Sequence, residues 1–201
     1  MTRISILLIS VLFISSTACG GKKAGNIQEV QQPANSEEST AMPERVIPVE
    51  RVFEAALNGE LPYIQQALEK GFDANTTDPE KHTALMLAAY NGHSELVSLL
   101  LKHGADPDIL DLNDRTALMY ASTGPFPETV SLLLDAGASL NLIDKEEHFT
   151  ALMFAAAEGQ SEIVRMLLDH GADKSLRDID GESAYDFALN NGHEEAVKML
   201  K

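Results

Sequence analysis

The chain has 201 residues, a formal net charge of −16, 44% hydrophobic residues, no tryptophan and one cysteine. An acidic surface repels phosphate, because nucleic-acid binding rests on lysine and arginine neutralising it; DNA, RNA and adsorption to anionic lipid headgroups are therefore set aside as partners. One cysteine closes no internal disulfide, and a preponderance of alanine and leucine over aromatics suits close helix packing better than a strand-rich fold.

In chain order, residues 1–18 come first: a basic start at Arg3, an apolar run from Ile4 to Ile14, then small residues up to Cys19. That layout predicts a secretory signal peptide, the apolar run being too short for a membrane-spanning helix, which needs about 20 residues. Ser16-Thr17-Ala18-Cys19 resembles the lipobox of bacterial lipoproteins, although Ser16 stands where that family has leucine. The resemblance implies cleavage before Cys19 and acylation of its thiol. Gly20, in place of the family's retention-signal aspartate, implies sorting to the outer membrane, facing the periplasm. The rest of residues 19–45 is polar, with scattered Gly, Pro, Ser, Gln and Glu and no period. It cannot bury enough apolar surface to offset chain entropy and is expected to be a disordered linker.

From residue 46 onward the chain repeats itself. TALMLAAYNGH begins at Thr83, TALMYASTGPF at Thr116, TALMFAAAEGQ at Thr150 and SAYDFALNNGH at Ser183; RVFEAALNGE at 51–60 falls into the same frame without the leading Thr. Glycines recur at 71, 104, 137 and 171. A period of 33 or 34 residues marks a solenoid, whose units bury their apolar faces only by stacking. Within one copy, Thr83 caps a helix, Ala88 and Ala89 let neighbouring helices approach, and Asn91-Gly92-His93 breaks it. A second helix starts near Ser94 with Glu95 in its first turn, and Gly104 ends it in the left-handed conformation. The 27 acidic and 11 basic residues after position 45 place the whole charge excess on these repeats.

Helix, turn, helix and loop at this period resemble the ankyrin repeat, carried here by T-A-L, A-A, N-G-H, S-E-L-V, L-L-L and H-G-A-D. The expected fold is therefore all-α: an ankyrin-repeat solenoid over residues 46–201, about five helix-turn-helix repeats (about 50–75, 83–108, 116–141, 150–175 and 183–201) with short hairpin-like loops. The first copy, with Gln65 and Gln66, and the last, with Glu194, Glu195 and Lys198, read as polar caps.

Departures from the family pattern carry their own expectations. Met86, Met119 and Met153 stand where the family has a bridging histidine and must fill that space by packing. Lys81, Asp114 and His148 replace the loop-tip glycine kept as Gly181, which predicts altered turns. Gly124-Pro125-Phe126-Pro127 forms a stiff inter-helix turn expected to project Phe126 outwards, and the one extra residue before Thr150 falls in a loop.

Chemistry is harder to find. His93 and His193 share one repeat position and His103 and His170 another, so the fold accounts for them. His82 and His148 have no metal-ligand spacing, and Asp106 and Asp108 begin a calcium-loop pattern that Leu110 and Asp111 break. With no nucleophile, phosphate-binding or dinucleotide motif, no catalytic residue, cofactor or metal is expected. What remains is surface. The ankyrin resemblance implies partner binding at the loop fingers, here Glu80, Lys81, Asn113, Arg115, Glu146, Glu147, His148, Phe149 and Asp180, and at exposed first-helix positions, here Tyr90, Asn91, Thr123 and Glu158. Tyr90 and Phe149 are the candidate apolar anchors. The expected function is a monomeric module that binds another protein, a basic one by charge, while anchored by lipid at Cys19 in the cell envelope, where it protects or regulates an envelope protein. The competing reading is an envelope scaffold or spacer without a client.

Overall fold

The computed structural model describes residues 47–201; the signal segment, Cys19 and the linker lie outside them. Ten helices follow in five pairs: α1 (Val49–Asn58) and α2 (Leu61–Glu69), α3 (Ala84–Tyr90) and α4 (Ser94–Lys102), α5 (Ala117–Ser122) and α6 (Pro127–Asp135), α7 (Ala151–Ala157) and α8 (Ser161–Asp169), α9 (Ala184–Asn190) and α10 (Glu194–Leu200). Each first helix packs on the next first helix and each second helix on the next second helix. None of these helices exceeds ten residues, and isolated helices below about 12 residues are marginal in water, so stacking is what holds them. Among the described residues no helix is long and apolar enough to cross a membrane.

Local chemistry sets the ends. The side chains of Thr83, Thr116, Thr150 and Ser183 accept from the backbone N–H three residues on, at 3.2, 3.3, 3.2 and 3.4 Å, so each caps its first helix. α1 starts at Pro48 without a side-chain cap. Met86, Met119 and Met153 are fully buried, as packing requires, and the Met86 sulfur also accepts from the Thr83 N–H at 3.4 Å. Ser122 occupies the place of the second alanine and turns its hydroxyl back to the Leu118 carbonyl at 2.7 Å. The alanine pairs, Leu85, Leu118, Leu152 and the second-helix aliphatics Leu96, Leu100, Val130, Leu133, Ile163 and Leu167 make one continuous core.

Two expectations about turns are corrected. Lys81, Asp114 and His148 do not alter their turns: they adopt φ of 63°, 58° and 61°, the left-handed conformation that Gly181 takes at 83°. The same turn is kept at all four tips, and at these three positions a non-glycine backbone carries the strain. Phe126, for its part, does not project outwards. Its ring lies back over Gly92, where an added Cβ would meet it at 2.2 Å, just as the His93 ring covers Gly59 and the His193 ring covers Gly159. The aromatic at the head of the second helix occupies one slot in all three cases; the two histidines also reach the Leu57 and Ala157 carbonyls at 3.0 Å.

The loops between repeats are fingers. Each is closed by an N–H of one aspartate bonding a carbonyl further on: Asp78 to His82, Asp111 to Arg115, Asp144 to Phe149 and Asp178 to Glu182, at 2.9–3.1 Å. The extra residue widens the Asp144 finger by one position and leaves its closure intact. Neighbouring fingers are stitched together, the N–H groups of Leu112, Lys145 and Ile179 donating to the carbonyls of Glu80, Asn113 and Glu147 at 3.1, 2.9 and 3.1 Å.

Candidate functional site: the finger row

The aspartate that closes each finger turns inward. One oxygen of each accepts loop N–H groups: Asp78 from His82 at 2.7 Å, Asp111 from Asn113 and Arg115 at 2.7 and 2.9 Å, Asp144 from Glu147 and Phe149 at 3.2 and 2.9 Å, and Asp178 from Asp180 and Glu182 at 3.0 and 2.7 Å. Asp111 and Asp144 are only 2% and 1% exposed, so their second oxygens need partners, since a buried unpaired charge is costly. Asp111 takes the Tyr120 hydroxyl at 2.6 Å. Asp144 takes Nε and one terminal nitrogen of Arg115 at 3.2 and 3.1 Å. Burial, and then the Asp111 carboxylate, raise the Tyr120 phenol well above its ordinary value.

Three residues just before a cap, His82, Arg115 and Phe149, reach into the next repeat, while Glu182 in the same register takes Asn190 of the last repeat. His82 bonds Asp78 through Nδ1 at 2.9 Å and turns Nε2 to within 3.8 Å of Asp111. Arg115 clamps Asp144 and lies 5.6 Å from the Phe154 ring centre. Phe149 meets Phe154 and Phe187 with ring centres 5.3 and 4.7 Å apart. A polar and aromatic seam thus runs along the finger bases, its groups satisfying one another. These groups do not converge on a cavity. A surface depression lined by Leu189, Gly192, Glu194, Val197, Lys198 and Lys201 includes none of them.

The structure sorts the sequence-derived surface residues into two kinds. Glu80, Lys81, Glu146, Glu147, His148, Glu158 and Asp180 are exposed. Others are engaged: Asn91 donates to the Leu57 carbonyl at 2.7 Å and Thr123 to the Tyr120 carbonyl at 2.8 Å, while Asn113 is half-buried and, like Glu80 and Glu147, is tied through its backbone carbonyl. Arg115 is held by Asp144, Phe149 by its aromatic neighbours, and Tyr90 meets Tyr120 edge-on at 6.0 Å. Asp78, Glu80 and His82 bring potential ligand atoms within 4.8 Å of one another, and these three could close on an ion. Asp78 and His82 already bond each other. Asp106 and Asp108, the calcium-loop fragment, accept N–H groups of Asp108 and Ser139 at 2.9 and 2.8 Å, which ties two turns together.

The sequence places Leu112 and Ile179 in fingers but does not single them out for partner contact, nor Leu110 and Ile143; all four are exposed aliphatics next to a finger aspartate. The signal was present: where an extended loop turns its aspartate inward, the residues at either side point outward, and L-D-L, I-D-K and R-D-I put apolar side chains there. Compared with known families, the chain matches the model described as ankyrin repeats (3 copies) over residues 52–144 and again over 126–201. A search of curated proteins returns no match.

Proposed function

The chain belongs to the ankyrin-repeat family, and from that premise we propose that it is a protein-interaction module held at a cell envelope by a lipid on Cys19. The observation that carries this reading is the division of labour in the fingers: the inward aspartates are satisfied by loop N–H groups, Tyr120 and Arg115, while most outward side chains, Glu80, Lys81, Leu112, Glu147, Asp180 and Ile179 among them, make no side-chain hydrogen bond or ion pair among the described residues. A stack that uses its polar groups this way presents a rigid surface, and rigid surfaces bind at low entropic cost. Anchoring at Cys19, the linker of residues 19–45 and an outer-membrane position facing the periplasm rest on the sequence pattern. They would raise the effective concentration of the module near an envelope partner. The net charge of −16 favours a basic partner and keeps copies of the chain apart as monomers.

The test is photo-crosslinking in cells from Glu147 and from Glu158, with Cys19→Ser as the companion variant. The reading expects one stoichiometric protein adduct, and Cys19→Ser is expected to release the chain from the membrane fraction. A membrane-bound chain that gives no adduct from either position would support the scaffold or spacer reading instead. A Cys19→Ser chain that stays on the membrane would remove the lipid anchor.

A further inference from the structure

The outward positions on either side of the finger aspartates form a row. In successive fingers they are Thr77 and Pro79, Leu110 and Leu112, Ile143 and Lys145, and Arg177 and Ile179. Four of them are large and aliphatic, exposed at 38% (Leu110), 50% (Leu112), 43% (Ile143) and 54% (Ile179). Single exposed aliphatics need no explanation, but grouped ones do. These are grouped, because Leu110 and Ile143 share one register, Leu112 and Ile179 share the other, and backbone bonds hold the fingers side by side. Carboxylates rim the row: Glu80, Glu147 and Asp180 are exposed and make no ion pair among the described residues. Of the nearby cations, Arg115 is held by Asp144 and Arg177 by the Gly181 carbonyl and Asp186, while Lys81 and Lys145 are exposed and outnumbered by Glu80, Glu146, Glu147 and Asp180.

We propose that this row docks a protein segment in which aliphatic side chains are interleaved with lysine or arginine. The proposal rests on the interaction-module reading and adds the site and the chemistry of the partner. Apolar area supplies the binding energy, and the carboxylate rim selects the sign of the partner's charge and speeds encounter. A second copy of the chain would set Glu80, Glu147 and Asp180 against like charges, and anionic polymers or lipids are repelled in the same way. Four fingers stacked at helix-packing distances of about 10 Å make a row about 30 Å long. A segment of about 20 residues covers it as a helix, and about ten suffice if extended.

The experiment uses the full chain and a fluorescent 20-residue peptide of leucine and lysine, read by anisotropy at low and moderate salt. Binding should weaken about tenfold in Leu112→Ser/Ile179→Ser and lose part of its salt dependence in Glu80→Gln/Glu147→Gln/Asp180→Asn. A serine and lysine peptide should bind at least about tenfold more weakly than the leucine one. The variant Glu69→Gln/Glu95→Gln/Glu162→Gln makes the same change in charge on second helices and should leave binding unchanged. Equal loss in that control, equal binding of the serine peptide, or no binding of the leucine peptide overturns the proposal. So does self-association of the wild type that Leu112→Ser abolishes, which would assign the row to a second copy. A cellular adduct from Glu147 or Glu158 that survives Leu112→Ser/Ile179→Ser sinks the row while the interaction module stands.

Discussion

The inner fingers and the outer ones use the same residue in the same register and depend on it to different degrees. Asp111 and Asp144 are buried at 2% and 1% exposure, whereas Asp78 and Asp178 are half-buried. All four tie their loops by accepting N–H groups. The inner pair also holds Tyr120 and Arg115. The repeat thus sets what an aspartate does for its own turn, and its neighbours set how much the domain loses when it goes.

The largest expected effect breaks that comparison open. Asp144→Ala leaves the Arg115 guanidinium with only the exposed Glu146 at 3.9 Å and two loop N–H groups without an acceptor, and should cost about 3 kcal/mol. Asp178→Ala loses two N–H bonds in a loop open to water and should cost about 1 kcal/mol. Urea midpoints of the two variants check this. Equal losses would mean that burial does not weight the shared position.

Tyr120 sharpens the same contrast through pH. Burial and the Asp111 carboxylate hold its phenol neutral above the ordinary range. The unfolded chain releases that proton near pH 10, so above about pH 10 the folded state binds more protons and stability falls as pH rises. Tyr120→Phe should cost about 1–1.5 kcal/mol at neutral pH, by removing the donor to a buried carboxylate, and should flatten the alkaline slope of stability. Thermal unfolding of both proteins between pH 8 and pH 11 reads the two effects together. A variant with the wild-type slope would show that the alkaline loss arises elsewhere.

A smaller effect, of opposite sign, belongs to the second-helix row, where Leu96, Thr129 and Ile163 share one register. Thr129 is fully buried and its hydroxyl has no partner. Thr129→Val keeps the shape and removes the unpaired group, and should stabilise by about 1 kcal/mol, read as a rise in the urea midpoint. An unchanged or lower midpoint would mean the hydroxyl has a partner in solution.

The features legible in the sequence were those that repeat. The capping Thr83, Thr116 and Thr150, the alanine pairs and the second-helix glycines each carry a local reason for their place, and the period adds them up. What escaped depended on one repeat touching the next. Phe126 looked like an exposed oddity because only the stacked structure shows that it fills the slot of His93 over the preceding turn. Arg115 and Phe149 read as free finger residues because their partners, Asp144 and Phe187, lie 29 and 38 positions further on. The aliphatic row was hidden for a related reason: Leu112 and Ile179 are 67 residues apart, and only the inward turn of each aspartate shows that they face the same way.

The smallest effect tests the finger tips against each other. Lys81, Asp114 and His148 hold positive φ where the last finger has Gly181. A left-handed side chain costs about 1–2 kcal/mol, and glycine returns part of that gain through the greater freedom of the unfolded chain, about 0.5–1 kcal/mol. Lys81→Gly should therefore stabilise by about 0.5 kcal/mol, and Asp114→Gly by less, because aspartate adopts this conformation more readily than lysine does. Gly181→Lys should cost about 0.5 kcal/mol, as the reverse substitution. Chemical denaturation of the three variants checks the order. If Lys81→Gly were instead destabilising, the lysine would have to be contributing contacts in solution that outweigh its backbone, and the tip of its finger would then be a fixed feature of the surface, unlike the tip at Gly181.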